Sequence, residues 1–512
     1  MDNDLKGHDR GPEKASRGPF SRRGVLALAV GLVVILALAI GLNVGGLREE
    51  LAWRISPPRI ETIAVLPLEN LAHDPEQDYF AYGMTAGLTD NLAQIGTFRV
   101  IARPSVTKYQ KAPRPLPEIG RELRVDAVVE GSVLRSGDSV QLMLTLTHAP
   151  TARRLWGQNY ERDSGDVPNL QGEISRAIAF AIKAKLAPQQ QARLTAIPPV
   201  NPEAYEAYLK GTYGREPGKA EEYLKQAAQL DAAFASPHVS LASDYYWSNY
   251  FTPLPPRETY PRAKEAAQRA IDLDPTLAEA HYFLALVAQE YDWDFVEAEK
   301  EFKRALELNP NAAETRHLYS HFLLCMGRDE ESRAEDRRAE EIDPADAELV
   351  ACLSWHAVAT GGYEEAEKLA QRALRMGSTY SRIFLGWSYE QRGLFNEAIL
   401  ELQKAVVDWG GDVFPTAALG HAYAAAGRES EAREVLDRLL ERSKKEYVSA
   451  YEIATVYAGL NDRDRAFDWL EKAYEERSNA LARFRMDPRL RGLQSDPRFR
   501  DVLRRMNFPQ KQ

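Results

Sequence analysis

Residues 385–407, "LGWSYEQRGLFNEAILELQKAVV", contain two helical patterns in succession. The second pattern places small and large apolar side chains on one helix face, at Ala398, Leu402 and Ala405. In the first pattern, Gly386 precedes Tyr389 by three residues. A glycine at this position lets two helices approach closely, and the tyrosine fills the space beside it. The stretch therefore predicts a pair of antiparallel helices.

The same pattern recurs through the C-terminal half of the chain. Its small residue returns in steps of 34, 34, 32, 34 and 34 residues, at Ala298, Ser332, Ala366, Ala398, Ala432 and Ala466. A 34-residue period with this pattern is typical of tetratricopeptide repeats, each of which is a helix pair. We predict an all-α repeat solenoid of about eight repeats over residues 200–480. An arginine-rich capping segment over residues 481–512 is expected to cover the last repeat.

Residues 60–187 show a different pattern, in which short β-branched runs alternate with amphipathic helices. The run after Ile60 predicts a buried strand that Pro67 ends. A helix follows with apolar side chains at Phe80, Met84, Leu88, Leu92 and Ile95. "FRVIARPSV" predicts a second strand, and Ser136-Gly137-Asp138 predicts the turn of a hairpin. The region is predicted to be an α/β domain, separated from the repeats by a proline-containing linker near residue 198.

The α/β region resembles the TolB-like N-terminal domain of bacterial signalling proteins. The resemblance is carried by "IAVLPLENL", "DPEQDYFAYGMTAGLTDNLAQI", "RVIARPSV", "IGRELRVDAVVEGSVLRSGD" and "LWGQNYERD". In that family the domain lies between a membrane helix and tetratricopeptide repeats, and it is not an enzyme domain. Related architectures join it through the membrane helix to a cytoplasmic kinase, a cyclase or a winged-helix DNA-binding domain. Here residues 1–23 stand in that place, so we expect a short cytoplasmic tail and no output domain.

Residues 24–42 carry no charge, and as a helix they would be about 28 Å long, close to the thickness of a bilayer core. We predict a transmembrane helix over residues 24–43. A cleaved signal peptide ending near Ala39 is the alternative. The basic residues lie mainly before the run, which predicts a cytoplasmic N-terminus, a single-pass protein of the inner membrane, and a periplasmic or extracellular bulk.

The charge of the remaining chain argues against some partners. After residue 23 there are 59 basic and 71 acidic residues, which disfavours direct nucleic-acid binding. Two cysteines provide no disulfide framework. The motifs of P-loop nucleotide binding, zinc proteases, nucleophile-elbow hydrolases and kinases do not occur. We therefore expect no enzyme and no cofactor.

One repeat-spaced stripe of side chains stands out. In tetratricopeptide repeats the position after the small residue of the first helix faces the concave groove, so the resemblance implies a groove that binds a protein or peptide, lined by His317, His321, Trp355, Ile383, Trp387 and His421. The alternative is that the two tryptophans pack inside the solenoid. His317, His321 and Cys325 share one helix face and could hold a metal, but no fourth ligand is evident and we expect no metal site.

Two functions remain open at this point. The first is a non-enzymatic, membrane-anchored scaffold that binds proteins or peptides through the groove. The second is a sensory or regulatory subunit that signals through a separate cytoplasmic kinase or DNA-binding transcription regulator.

Overall fold

The computed structural model describes residues 58–110, 114–137, 139–163, 166–184, 200–214, 218–252 and 254–509. Residues 60–512 form one compact unit. The predicted tail at 1–23 and the predicted transmembrane helix at 24–43 lie outside the described residues. Within the described ranges, no helix combines the length and the apolar character that a membrane crossing requires.

A mixed six-stranded sheet forms the centre of the α/β domain. Its strands are β1 (Thr62–Val65), β2 (Glu69–Asn70), β3 (Arg99–Val100), β4 (Ala127–Ser136), β5 (Ser139–His148) and β6 (Arg153–Asp163). The order is β3-β1-β4-β5-β6, and β2 pairs with the end of β4. β1 is parallel to β3 and β4, whereas β4, β5 and β6 form an antiparallel meander. The predicted hairpin therefore lies in the middle of this sheet.

Helices cover both faces of the sheet. The helices are α1 (Asp78–Ala93), α2 (Arg103–Thr107), α3 (Leu116–Leu123) and α4 (Val167–Ala181). Alternation along β4 directs Val129 to the core shared with α1 and α4, and Val128 to the core shared with α2 and α3. The predicted second strand is shorter than expected, because α2 begins at Arg103. Pro104 lies in the first turn of α2, where its missing N–H leaves no helical hydrogen bond unmade.

The predicted repeat solenoid is confirmed by eight successive helix pairs between residues 200 and 476 of the described chain. The pairs are α5 and α6 (Pro202–Tyr213, Ala220–Leu230), α7 and α8 (Ser236–Phe251, Pro256–Leu273), α9 and α10 (Ala278–Val287, Phe295–Leu308), α11 and α12 (Ala313–Cys325, Asp329–Ile342), α13 and α14 (Ala347–Ala359, Tyr363–Met376), α15 and α16 (Ser381–Gln391, Phe395–Asp408), α17 and α18 (Val413–Ala425, Glu429–Ser443), and α19 and α20 (Ala450–Gly459, Arg463–Glu475).

Close approach at the small position holds each pair together. A Cβ placed on Gly386 would lie 2.6 Å from Leu402 Cγ, and one on Gly420 would lie 2.8 Å from Val435 Cγ1. These separations are too short for two carbon atoms, so the pairs depend on glycine here. Ala398 and Ala405 are fully buried on the partner helix, as the spacing predicts.

The α/β domain and the repeats pack against each other. Leu209 of α5 belongs to the same apolar core as α1, and its Cδ2 atom lies 2.3 Å from where a Cβ of Gly83 would be. Farther along the repeats, Asp343 accepts hydrogen bonds from Ser105 Oγ at 2.8 Å and from the Ala102 N–H at 3.2 Å. Asn311 donates to the Phe98 carbonyl at 2.8 Å. The first repeat helix thus completes the core of the α/β domain.

Candidate binding surface of the repeats

The chain after α20 does more than cap the last repeat. We call residues 477–508 the terminal segment; it contains two 3₁₀ turns, Asn479–Arg483 and Pro488–Leu493, and helix α21 (Pro497–Arg505). α21 packs on α20 through an ion pair between Arg505 and Glu471 and through Arg498, which lies 4.2 Å above the Phe467 ring, as expected of a cap. The residues before α21 instead cross the first helices of the repeats, on the surface that the sequence predicted to be a groove.

Contacts of the terminal segment reach distant repeats. Phe508 packs on Phe295 next to the third helix pair, with ring centroids 4.8 Å apart, and Arg477 lies 4.0 Å above the Trp293 ring. Arg491 donates to Gln391 Oε1 of the sixth pair at 2.8 Å. Because one short segment touches the third and the sixth pair, the repeat array curves around it.

A buried ion network fixes the centre of the terminal segment. The Arg489 side chain is 0% exposed; its Nη1 donates to Glu452 Oε2 at 2.8 Å and its Nη2 to Asp487 Oδ2 at 2.7 Å. Tyr451 also donates to Asp487 Oδ2, at 2.9 Å. Burial opposes the charge of Asp487, but Arg489 outweighs it and lowers the pKa of that carboxyl. The guanidinium lies 4.7 Å above the Trp387 ring.

Two further glutamates lie buried beside the terminal segment. Glu290 of the π-helical turn Ala288–Asp292 accepts hydrogen bonds from Tyr246, Tyr250 and Tyr260. Burial raises the pKa of Glu290 despite these hydrogen bonds and the nearby Arg483 charge. Glu390 faces His421 at 3.0 Å. With Glu452, the third, sixth and eighth pairs each contribute one buried carboxyl group to this surface.

His421 links the surface directly to the terminal segment. Its Nδ1 lies 3.1 Å from Glu390 Oε2, and its Nε2 lies 3.1 Å from the Arg489 carbonyl oxygen. Both partners accept hydrogen bonds, so the imidazole satisfies both only when it carries a proton on each nitrogen. Burial opposes that charge, but Glu390 outweighs it and raises the pKa of His421.

The structure places two of the predicted groove residues, Trp387 and His421, below this segment. Trp355 is 3% exposed, Trp387 1% and Ile383 0%, and all three belong to one apolar core. The expected open surface is therefore not observed, because Arg489 and its neighbours cover Trp387. His317 and His321 lie elsewhere on the same first helices, in a cluster with His356. The role of these six residues in binding a partner stays a prediction.

The sequence did not single out the residues that hold the segment. Arg489 and Asp487 belong to an arginine-rich end, a composition more typical of a solvated surface. One local signal was present: Asp487 precedes Pro488 and caps the following turn by accepting from the Arg489 N–H at 2.9 Å. Glu452 gave no signal, since its partner lies 37 residues away in sequence.

The comparisons with known proteins give one relative and several distant folds. A protein of Rhizobium meliloti (strain 1021) named putative adenylate cyclase 3 is 31% identical over 245 residues, which is 45% of this chain and 41% of that protein. The match thus covers less than half of the relative's length. No protein-family model matches this chain.

Solved structures with some similarity include a tetratricopeptide repeat protein from Parabacteroides merdae, which is 12% identical, covers 53% of this chain and 98% of its own, and has a TM-score of 0.35. The yeast Tom70 is 18% identical, covers 59% of this chain and 67% of its own, and has a TM-score of 0.38. A third is a human IFIT1 dimer with m7Gppp-AAAA, which is 16% identical, covers 67% of this chain and 81% of its own, and has a TM-score of 0.41. The repeat architecture rests on the helix pairs of the chain itself. The expectation that this chain binds no nucleic acid stays a prediction.

The curated relative corrects one expectation. The absence of known catalytic motifs predicted a protein that is not an enzyme, and the 31% identity to a protein named as an adenylate cyclase contradicts that prediction. Short catalytic signatures do not record a similarity of this kind, which extends over 245 residues.

Proposed function

We propose that this chain is a protein-binding regulatory module in bacterial signalling connected with cyclic-nucleotide synthesis. The observation that carries the proposal is the surface of the first helices, which holds an irregular, arginine-containing segment through buried Glu452, through His421 and through the ring of Trp387. A surface that holds the chain's own segment in this way has the chemistry to bind a similar segment of a partner. The relative named as an adenylate cyclase supports the connection with cyclic nucleotides.

The partner expected from this chemistry is a protein with an arginine-rich stretch that contains few regular elements. Its arginines would take the places of Arg483 and Arg489, next to Glu452 and above Trp387. Such a partner must displace the terminal segment, so binding would change the conformation of the chain. A change of this kind is what a regulatory subunit transmits.

A peptide of residues 477–508 tests this surface. The labelled peptide should bind the full chain carrying Arg489→Ala, whose own segment is loosened, and should bind wild-type chain more weakly. A matched peptide with both Arg483 and Arg489 replaced by alanine is the control and should bind neither. If the wild-type peptide binds the variant chain no better than this control peptide does, the surface is not a peptide-binding site.

The link to cyclic nucleotides needs a separate test. Cyclic AMP would be measured in bacteria that produce the wild-type chain or the Arg489→Ala chain, and in bacteria that carry the empty vector. We expect the wild-type and variant chains to give different levels, because the variant mimics the displaced state. Equal levels in all three cultures would contradict the connection that the relative suggests.

We also propose the topology that the sequence favours, with residues 24–43 in the inner membrane and the α/β domain and repeats outside the cytoplasm. The basic residues before Gly24 support this orientation. An alkaline phosphatase fusion after residue 60 should be active. An inactive fusion, together with bright fluorescence of a cytoplasmic reporter at the same point, would reverse the orientation.

A further inference from the structure

Two neighbouring repeats bring metal-ligating side chains together. His317 and His321 lie one turn apart on α11, and Cys352 and His356 lie one turn apart on α13. One ligand atom from each of His317, His321 and Cys352 lies within 4.8 Å of the other two. The His356 ring centroid is 4.5 Å from that of His321 and 5.8 Å from that of His317. The next repeat therefore supplies two groups, Cys352 and His356, whereas Cys325, which the sequence placed with His317 and His321, is not part of the cluster.

The histidine nitrogens in this cluster are buried and unsatisfied. Both ring nitrogens of His317, and Nε2 of His321 and of His356, have no hydrogen-bond partner among the described residues. His317 and His356 are each 7% exposed. Asp336 Oδ1 lies 3.8 Å from His317 Nδ1, beyond hydrogen-bond distance. Buried polar atoms normally have partners, so unsatisfied nitrogens on three neighbouring imidazole rings indicate a missing ligand.

We propose that His317, His321, Cys352 and His356 bind a zinc-class divalent metal ion between the fourth and fifth repeats. Imidazole nitrogen and thiolate sulfur favour zinc or cobalt over magnesium or calcium. Tetrahedral zinc would bring the ligand atoms to about 3.5 Å from one another, so His317, His321 and Cys352 must close by roughly 1 Å and the His356 side chain must turn to join them. A site with four protein ligands has no open position, which makes it structural rather than catalytic.

The surroundings of the cluster fit a bound cation. Asp336 Oδ2 lies 2.7 Å from His356 Nδ1 and leaves Nε2 available as the ligand, an arrangement found at many zinc-bound histidines. The Cys352 thiol would lose its proton to solvent on binding, so thiolate and Asp336 together balance two positive charges. Trp355 packs on His321 with ring centroids 4.8 Å apart and excludes water from that side.

Cobalt titration of the purified, metal-free full chain tests the site. We expect the visible absorption of tetrahedral cobalt together with a thiolate-to-cobalt charge-transfer band. Cys352→Ser should abolish the charge-transfer band, whereas Cys325→Ser is the matched control and should retain it, because Cys325 is the only other cysteine and lies outside the cluster. Asp336→Asn should weaken metal affinity about 10- to 100-fold. Wild-type protein without these bands, or an unchanged charge-transfer band in Cys352→Ser, would overturn the proposal.

A second measurement needs no variant. Cys352 in metal-free wild-type protein is partly exposed, whereas Cys325 is buried. One equivalent of Zn²⁺ should slow alkylation of Cys352, as mapped by mass spectrometry, and should raise the melting temperature of the chain. Calcium is the control and should do neither. Equal alkylation of Cys352 with and without Zn²⁺ would refute the site even if Cys352→Ser fails to fold.

Discussion

Replacing Arg489 by alanine should release the terminal segment from the repeats. The variant leaves Asp487 and Glu452, which are 1% and 3% exposed, without the guanidinium that balances them. Breaking a buried ion pair by removing one partner costs about 3–5 kcal/mol. The loss of contact with the Trp387 ring adds to this cost. The segment, rather than the whole solenoid, should bear most of the effect, because α19 keeps its own repeat contacts.

Hydrogen exchange measured by mass spectrometry gives, for each peptide, the change in the free energy of local opening. A local cost of about 3–5 kcal/mol accelerates exchange about 150-fold to 5,000-fold in peptides from residues 479–493. The matched control is Arg504→Ala: the Arg504 side chain is 72% exposed, and its pair with Asp501 should matter by less than about 0.5 kcal/mol. Peptides from the α/β sheet should exchange alike in both variants.

A third variant separates the loss of the Arg489 contacts from the cost of leaving buried carboxylates unpaired. Combining Arg489→Met with Asp487→Asn removes the guanidinium and one carboxylate and leaves Glu452 paired with Arg483 at 3.4 Å, so most of the protection should return. If Arg489→Ala exchanges like Arg504→Ala, the buried network does not hold the segment and the assignment of this surface is wrong. If this double variant exchanges as fast as Arg489→Ala, shape rather than charge determines the protection of the segment.

Three further predictions address the repeats, the pH dependence and the domain boundary. Gly386→Ala should lower the free energy of unfolding by about 1–3 kcal/mol in denaturant unfolding, because its Cβ would lie 2.6 Å from Leu402 Cγ. A Cβ on Gly492 would have none of the described atoms within 4 Å, so Gly492→Ala should leave the free energy of unfolding unchanged. The pKa of His421 is raised in the folded chain, so the stability that His421 contributes is full below about pH 6.5 and is lost as the pH rises through its folded pKa. Proteolysis of the terminal segment should therefore accelerate as the pH rises, and this trend should vanish in His421→Gln. A fragment of residues 58–214 should melt cooperatively at a higher temperature than 58–190, since losing the burial of Leu209 alone costs about 2 kcal/mol; equal melting would show that α5 is not part of that core.

Much of the fold follows from local patterns in the sequence. The repeats were predictable because each helix pair buries its own small and apolar positions, such as Gly386 against Leu402, and the pattern returns with a fixed period. The sheet was predictable from its β-branched runs and from the turn after Ser136. The start of α2 was not predicted, because the residues around Pro104 have the composition of a strand, whereas proline favours the first turn of a helix.

The candidate site was less predictable, since it depends on how far the repeat array curves. The stripe through Trp355 and Trp387 followed from the repeat register, but its burial did not. Curvature is the sum of small rotations between successive pairs, and no short sequence pattern records that sum. The same limit applies to the histidine cluster: His317 and His321 were visible on one helix, whereas Cys352 and His356 join them only through the packing of α11 on α13.

The terminal segment also sets a limit on how strongly any partner can bind. A surface that is free in only a small fraction of molecules lowers the apparent affinity of its partner by that fraction. If Arg489 contributes about 3–5 kcal/mol to closure, Arg489→Ala should raise the apparent affinity for a peptide by the same roughly 150-fold to 5,000-fold by which it accelerates exchange. The two factors come from independent measurements, one without peptide and one with it. Agreement would mean that opening of the segment and exposure of the binding surface are the same event. A large increase in exchange with unchanged peptide affinity would mean that the segment and the peptide occupy different places.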